Sequence, residues 1–210
     1  MKFILVLFIL ITLYTNTKAQ DEMEKIKSIV NDVKEKFTPD KRTAVFNFEA
    51  LESENKIIIK GETNINEAYS EFAKMMNDAD IKFDNQIEML PSEKLGEKKF
   101  GVINLSVANI RSKPDHPAEL ATQSILGTPI KVLKKGEDGY YLVQTPDNYI
   151  SWLDDDGFTF MTEDNWKEWI SSSKIIYTKE YGFSYSEADV NSQTVSDLVA
   201  GNLLKIMGED

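Results

Sequence analysis

The spacing of apolar residues in the first ninety positions predicts both helices and strands. In residues 21–37 apolar side chains recur every three or four positions, which is typical of an amphipathic helix. Residues 43–50 alternate between apolar and polar, and Ile57, Ile58 and Ile59 follow within residues 56–61. These two runs predict a β-hairpin.

A second helix and a third strand are predicted to follow this hairpin. Asn64 is in position to cap the helix, with Glu67 three residues later as in a capping box. One face of the helix collects five apolar side chains: Ala68, Tyr69, Phe72, Met75 and Met76. Alternation over residues 81–89 predicts the third strand. The order helix, strand, strand, helix, strand indicates a small α+β domain over residues 20–90.

The pattern changes after residues 91–99, which are polar and charged and contain Pro and Gly, as expected of a domain boundary. Residues 100–157 contain short alternating runs separated by Gly, Asn and Asp turns. Such runs, with turns about every ten residues, predict a small all-β barrel over residues 100–160.

A short helix is predicted within residues 161–173. Thr162 is its cap, and acidic residues occupy its first turn. Trp166 and Trp169 lie on one face of this helix. Docking of both indoles against the barrel is the favoured interpretation, and a platform for carbohydrate is the alternative.

Residues 174–210 repeat the start of the barrel pattern. Gly127 and the run that follows it align with Gly201 and its run, at an offset of 74 residues. The second copy begins near Ile175 and contains no counterpart of residues 140–143 or 149–153. A barrel without its last strands leaves open edges, so residues 174–210 are expected to be poorly packed, as in a truncated or partial domain.

Residues 1–19 have the pattern of a secretory signal peptide. Lys2 precedes an apolar run over residues 3–14, and residues 17–19 (TKA) form a cleavage site. The run is short for a bilayer span, although an uncleaved anchor is the alternative. The sequence therefore predicts an exported protein, periplasmic or extracellular, with no stable membrane span after cleavage.

Composition limits the chemistry that this chain can perform. The sequence has no cysteine, so it offers neither a thiol nucleophile nor a disulfide. Its net charge is −11, and removal of Lys2 and Lys18 with residues 1–19 makes it −13. Such acidity disfavours nucleic acid as a partner and promotes solubility. We expect a monomer that needs no cofactor.

Two polar groups are candidates for a catalytic or a metal site. His116 is the only histidine and lies in a loop, with no nucleophile identifiable beside it. Residues 154–157 (DDDG) suggest calcium, but they lack the alternating ligands and the distal Glu of an EF-hand. A solvated turn is the favoured interpretation, and the sequence predicts no catalytic residue and no metal ligand.

Three motifs in residues 100–157 resemble bacterial SH3 (SH3b) domains. They are residues 108–114 (ANIRSKP), residues 139–143 (GYYLV) and residues 149–153 (YISWL). Residues 120–127 (LATQSILG) are similar to a run in the first SH3b domain of secreted NlpC-type cell-wall peptidases, the γ-D-glutamyl-L-diamino-acid endopeptidases. More weakly, residues 57–63 (IIIKGET) before a helix resemble BON-type domains.

The resemblance implies a fold, a function and a site. The fold is an α+β domain, an SH3-like barrel and an incomplete second SH3-like barrel. The function is non-catalytic binding of the peptidoglycan stem peptide, or of a catalytic peptidase domain, as the N-terminal part of an NlpC-type cysteine peptidase. Tyr149 matches a family tyrosine that helps to bind the free amine of the peptide. The family's acidic residue is replaced by Ala121, with Glu119 two residues away as a substitute, and Trp152 completes the expected site. A packing role inside the barrel is the alternative for Tyr149 and the favoured interpretation for Trp152. The alternative is a protein-interaction scaffold of the cell envelope.

Overall fold

The computed structural model describes residues 2–53 and 56–208, with side chains from residue 20 onward, and the chain divides into two units between Met89 and Leu90. The first unit contains two helices and three strands: α1 (Lys2–Phe37), β1 (Phe46–Ser53), β2 (Lys56–Thr63), α2 (Asn66–Asp78) and β3 (Asp84–Met89). β1 and β2 are antiparallel, and β3 is parallel to β2. α2 provides the crossover that a parallel pair requires.

The apolar faces of the two helices meet the sheet in one core. Its buried members come from α1, β1, β2, α2 and the segment before β3: Ile26, Ile29, Val33, Phe46, Phe48, Ile59, Ala68, Phe72, Met76 and Ile81. Three of the five apolar residues expected on one face of α2 are fully buried, and Tyr69 and Met75 pack at the edge.

Two expectations for this unit were wrong in detail. α1 begins at Lys2 rather than near residue 21. Asn64 does not cap α2, because its Oδ1 accepts a hydrogen bond from the Val45 backbone N–H at 2.8 Å. The cap position is Ile65, which makes no side-chain bond. Asn64 thus connects the end of β2 to the start of β1. The signal-peptide prediction for residues 1–19 rests on side chains outside the described set.

In the part of the chain that the structure describes, no helix combines the length and the apolar character needed to cross a membrane.

The second unit is built from eleven strands and one α-helix. Seven strands form its main sheet: β4 (Phe100–Ile103), β5 (Val107–Arg111), β6 (Leu120–Ile125), β7 (Pro129–Lys135), β8 (Tyr140–Gln144), β9 (Ile150–Asp154) and β10 (Phe158–Met161). Their order is β10-β4-β7-β8-β9-β5-β6. α3 (Glu163–Ser171) follows, and then come β11 (Lys174–Ile176), β12 (Tyr181–Tyr185), β13 (Thr194–Val199) and β14 (Leu203–Lys205).

The seven-stranded sheet is not the closed barrel that the sequence suggests. Within residues 90–208 no ladder joins β10 to β6, so both remain edges. In the turn after β6 the Gly127 N–H donates to Ile103 O at 2.9 Å, at the end of β4. Gly127 has φ +86°, a left-handed conformation that favours glycine.

The inner face of the sheet carries the core of this unit. Its largest members include Ile110, Ile130, Tyr141, Leu153 and Phe158. Part of the segment that the sequence suggests as a linker is folded, since residues 93–95 form a 3₁₀ turn and Leu95 is buried in the same core. The Ser92 N–H donates to Leu133 O on β7 at 2.8 Å.

α3 docks on the sheet through the two tryptophans, as the favoured interpretation predicts. Thr162 Oγ1 accepts from the Asn165 N–H at 3.3 Å, which confirms the cap. The Trp166 ring lies 4.8 Å from that of Phe100, and Trp169 Nε1 donates to Gly127 O at 2.9 Å.

Residues 174–208, here called the half-repeat, reproduce the geometry of β4 to β7 at an offset of 74 residues. β4 pairs with β7 through Phe100 and Lys131, and β11 pairs with β14 through Lys174 and Lys205. The β12–β13 ladder matches the β5–β6 ladder residue for residue, including a bulge at its last pair. The half-repeat has no counterparts of β8, β9 and β10 among its described residues.

The half-repeat has little core, as the sequence predicts. Its described buried residues are Leu198 and Asn202. Exposed apolar side chains include Ile175, Ile176, Tyr181, Phe183, Val195, Ile206 and Met207. Asn202 connects the half-repeat to the main sheet, since its Nδ2 donates to Ser106 O at 3.0 Å.

Candidate functional site

A pocket of about 320 Å³ opens beside β5 and the end of β9. Its polar lining comes from five separate positions in the chain: Asn109, Arg111, His116, Tyr140 and the acidic turn that follows β9. Its apolar lining includes Leu105, Val107 and Leu153. A pocket with apolar walls and a few convergent polar groups is the usual form of a small-molecule or peptide site.

Tyr140 forms the inner wall of this pocket. The residue is 2 % exposed, and its hydroxyl lies 3.0 Å from His116 Nδ1. Burial, together with the nearby Asp154 carboxylate, raises the pKa of Tyr140 above its ordinary value of 10.0. The hydroxyl is therefore protonated at neutral pH, so it is not a nucleophile and has a proton available for a hydrogen bond.

His116 connects Tyr140 to the acidic turn. Its Nε2 lies 3.7 Å from Asp154 Oδ2, and its ring meets the Tyr140 ring edge-on at a centroid distance of 5.6 Å. If the Tyr140 hydroxyl donates to Nδ1, the proton of the neutral imidazole is on Nε2, on the side of Asp154. The loop histidine that the sequence left without a partner thus has two partners from other strands.

Arg111, the last residue of β5, supplies the positive charge of the pocket. Its Nη1 donates to Ala118 O at 2.9 Å, which holds the loop between β5 and β6. The Arg111 charge lowers the pKa of Tyr140 and so opposes the effects of burial and Asp154. The pocket therefore contains a guanidinium and carboxylates together.

The acidic turn after β9 lies at the mouth of the pocket. Asp154 caps the 3₁₀ turn of residues 155–157, with its Oδ1 accepting from the Asp156 N–H at 3.0 Å. Carboxylate oxygens of Asp154, Asp155 and Asp156 lie within 4.8 Å of one another, and Asp155 and Asp156 are exposed. Hard cations such as Ca²⁺ prefer oxygen ligands of this kind, but groups of carboxylates in a surface turn are also common without an ion.

The three residues expected to bind substrate are not among the lining residues of the pocket. Trp152 is the cross-strand partner of Arg111 on β9. Leu120, which follows Glu119, is its partner on β6. Tyr149 immediately precedes β9, and its carbonyl closes the β8–β9 turn by accepting from the Thr145 N–H at 3.0 Å.

The surroundings of Trp152 explain its half-buried state. Lys134 Nζ lies 5.4 Å from the ring centroid, and a Cβ atom at Gly136 would approach the indole to 2.4 Å. The indole therefore packs against the β7–β8 turn. Glu119 is exposed, and its backbone carbonyl accepts from the Ser112 N–H at 2.9 Å.

Comparison with protein families identifies the segment that contains most of the pocket. Residues 110–158 match the family model of the bacterial dipeptidyl-peptidase Sh3 domain. This part of the chain is a bacterial SH3 domain. Residues 111–157 contribute most of the pocket lining, and the rest comes from residues 105–109 just before the matched segment. The seven-stranded sheet that contains this segment is called the SH3 domain below.

Comparison with solved structures finds, among other chains, an NlpC/P60 endopeptidase from Photobacterium damselae subsp. piscicida. The identity is 16 %, the TM-score is 0.44, and the match covers 56 % of this chain and 29 % of that one. The present chain thus corresponds to less than a third of that endopeptidase. No curated protein matches the chain.

The sequence analysis missed the pocket because its polar residues are far apart along the chain. Arg111, Tyr140 and Asp154 each stand at an end of a different strand. His116 is 24 residues from Tyr140. The only available signal was the placement of charged or polar residues at strand ends, which many surface turns share.

Proposed function

We propose that the SH3 domain of this chain is a non-catalytic module that binds a short peptide bearing both a free amine and a carboxylate. The peptidoglycan stem peptide, L-Ala-γ-D-Glu-diamino acid, has this chemistry. The observation that carries the proposal is the pocket in which Arg111 and Asp154 flank the buried hydroxyl of Tyr140.

Charge and size both support a zwitterionic ligand. The Asp154 and Asp156 carboxylates are suited to an ammonium group, and the Arg111 guanidinium is suited to a carboxylate. A volume of about 320 Å³ is near the lower limit of ligand sites, so the pocket fits one or two amino-acid residues rather than a long chain. The Tyr140 hydroxyl and His116 add polar contacts that orient the bound end.

The residues around Arg111 extend the proposed site. Trp152 is paired with Arg111 on β9, Glu119 immediately precedes β6, and Tyr149 immediately precedes β9. In this proposal they contact the remainder of the stem peptide or a catalytic peptidase domain. Export through the signal peptide of residues 1–19 would bring the module to the cell wall.

The test is NMR shift mapping of the full chain with the free stem tripeptide. We expect saturable shifts centred on Arg111, Tyr140 and Asp154. Asp154→Asn should weaken binding of the free-amine peptide about tenfold, because a charge-assisted hydrogen bond is lost. The same variant should have little effect on binding of the N-acetylated peptide, since that peptide has no ammonium group. Asp80→Asn, in the first unit, changes the net charge equally and serves as the control.

Two results would count against the proposal. A spectrum unchanged at millimolar peptide would remove the binding role, as would equal losses for the free and acetylated peptides. Cleavage of the peptide by the pure protein would refute the non-catalytic assignment.

A further inference from the structure

His116 stands between the buried hydroxyl of Tyr140 and the carboxylate of Asp154 in the candidate pocket. The Tyr140 oxygen lies 3.0 Å from His116 Nδ1, and it also accepts a hydrogen bond from Arg111. A guanidinium can only donate, so the single proton of the Tyr140 hydroxyl is left for His116. The histidine is therefore the neutral tautomer with its own proton on Nε2, on the side of Asp154.

The Asp154 carboxylate has one oxygen that is available to a ligand. Its Oδ1 accepts from the Asp156 N–H at 3.0 Å. Its Oδ2 lies 3.7 Å from His116 Nε2, which is too long for a hydrogen bond. The Asp154 side chain is 29 % exposed and lines the pocket, so an ammonium group that enters the pocket can reach Oδ2.

A second proton on His116 changes both of its contacts. An imidazolium has a proton on each nitrogen, so Nδ1 no longer accepts from the buried Tyr140 hydroxyl. The positive charge of the ring is attracted to Asp154. The His116 side chain is 78 % exposed, which leaves it room to approach the carboxylate. The charged ring and the ammonium group of a ligand therefore compete for the same oxygen.

We propose that His116 is a specificity-determining residue of this pocket, which favours an ammonium-bearing ligand when His116 is neutral and disfavours it when His116 is charged. The inference rests on the function proposed above, because it takes the ammonium group of the ligand to bind Asp154. It adds that binding weakens as the pH falls through the range in which imidazoles titrate, and that binding at low pH releases a proton.

His116 supplies the one imidazole of the chain, and imidazole is the side chain that ordinarily changes charge between pH 5 and pH 7. Other charged or titratable groups belong to the pocket, to the turn after β9 and to the loop that carries His116: Arg111, Lys113, Asp115, Glu119, Tyr140, Asp154, Asp155 and Asp156. Guanidinium, ammonium, carboxyl and phenol groups ordinarily titrate outside this range. One side chain therefore accounts for the expected pH dependence.

The test is calorimetric titration of the full chain with the dipeptide L-Ala-γ-D-Glu, which has a single ammonium group. The titrations are made in low salt at pH 5 and pH 7, where this ammonium group is largely charged. We expect the dissociation constant to be about fivefold larger at pH 5, a moderate change because ion pairs of exposed side chains are weak. At pH 6 the heat of binding should vary with the ionisation enthalpy of the buffer, since a proton is released.

Four variants separate His116 from a general effect of pH. His116→Asn keeps an acceptor for the Tyr140 proton and carries no charge, so its affinity should be the same at pH 5 and pH 7. His116→Lys is charged at both pH values and should bind weakly at both. Asp154→Asn removes the carboxylate for which the ring and the ligand compete, so its weakened binding should not depend on pH. Asp80→Asn, in the first unit, should keep the wild-type pH dependence.

A second measurement needs no ligand. In the full chain labelled with ¹³C-tyrosine, the ring signals of Tyr140 should move with pH between 5 and 7, because its hydroxyl loses the His116 acceptor. The same signals should stay in place in His116→Asn.

Four outcomes would overturn the inference. Saturable binding of equal strength at pH 5 and pH 7 would remove the role of His116 and leave the proposed binding function in place. A pH dependence that persists in His116→Asn would assign it to another group. Tyr140 signals that do not respond to pH would show that the two side chains are not coupled. The absence of binding at both pH values would remove the proposed function itself, and the inference with it.

Discussion

At the scale of single residues, the two indoles of α3 differ in one hydrogen bond. Trp169 Nε1 donates to Gly127 O, whereas Trp166 Nε1 is buried and has no partner among the described residues. A buried hydrogen-bond donor without an acceptor destabilises the folded state, whereas a buried donor that makes its hydrogen bond stabilises it. The spacing of the two tryptophans predicted the shared face, but it could not distinguish these two environments.

Replacing each indole by phenylalanine tests this difference. Trp169→Phe should lower the free energy of unfolding by about 1–2 kcal/mol more than Trp166→Phe, because it also leaves the Gly127 carbonyl without its donor. Both substitutions remove similar apolar area, so the comparison isolates the hydrogen bond. Urea denaturation followed by circular dichroism measures it. Equal losses would show that the Trp169 bond contributes nothing.

At the scale of elements, one buried side chain attaches the half-repeat to the SH3 domain. Asn202 is fully buried, its Nδ2 donates to Ser106 O, and its Oδ1 accepts from the Val199 N–H at 2.9 Å. Ser106 also donates through its hydroxyl to Asp197 Oδ2 at 2.7 Å. The sequence repeat predicted the strands on both sides of Asn202, but the contact spans 96 residues and has no sequence pattern.

Asn202→Ala should therefore loosen the half-repeat and leave the main sheet intact. It leaves the Val199 N–H without this acceptor, at a cost of about 1–3 kcal/mol, and it removes one of two donors to Ser106 O, which keeps the Leu126 N–H at 3.3 Å. Hydrogen exchange should accelerate in β13 and β14 while the rates in β4 to β9 stay constant. Asn191→Ala removes the exposed bond to Asp189 and is the control. Uniform acceleration over both regions would mean that they unfold as one cooperative unit.

At the scale of the whole molecule, carboxyl groups that form hydrogen bonds in the folded state make the stability of the protein depend on pH. Hydrogen bonds and charge from Lys36 and Lys205 hold the pKa values of Glu71 and Glu168 below the ordinary 4.5. The Thr145 hydroxyl lowers the pKa of Asp147 below 3.8. A carboxylate whose pKa is lower in the folded state stabilises the fold fully above its unfolded-state pKa. This contribution is lost as the pH falls through the folded-state value.

The Glu168 contribution can be measured with one variant and a matched control. Glu168→Gln should unfold at a lower urea concentration than the wild type at pH 7, because the bond to Lys205 is weakened. The difference between the urea midpoints of the wild type and the variant should disappear as the pH falls below 4.5 toward the folded-state pKa of Glu168, because the wild-type carboxyl then also becomes neutral. Glu180→Gln changes the charge equally at an exposed position. A difference in urea midpoint that stays constant down to pH 2.5 would show that the Glu168 carboxylate is not the source of this stability.

Local patterns in the sequence specify the features that depend on near neighbours. Apolar periodicity identified the buried face of α2, alternation identified the strands of residues 100–157, and the motifs around Arg111 and Trp152 identified the SH3 domain. The repeat at an offset of 74 residues identified the half-repeat and its missing core. Each of these signals lies within a few residues of chain, where side-chain spacing and turn chemistry decide the structure.

How distant residues combine depends on the tertiary structure. The main sheet is open, with β10 and β6 at its edges, and Asn64 holds β1 rather than capping α2. His116, Tyr140, Arg111 and Asp154 come together in one pocket. These outcomes depend on strand order and register, which many different sequences share and which no local pattern specifies.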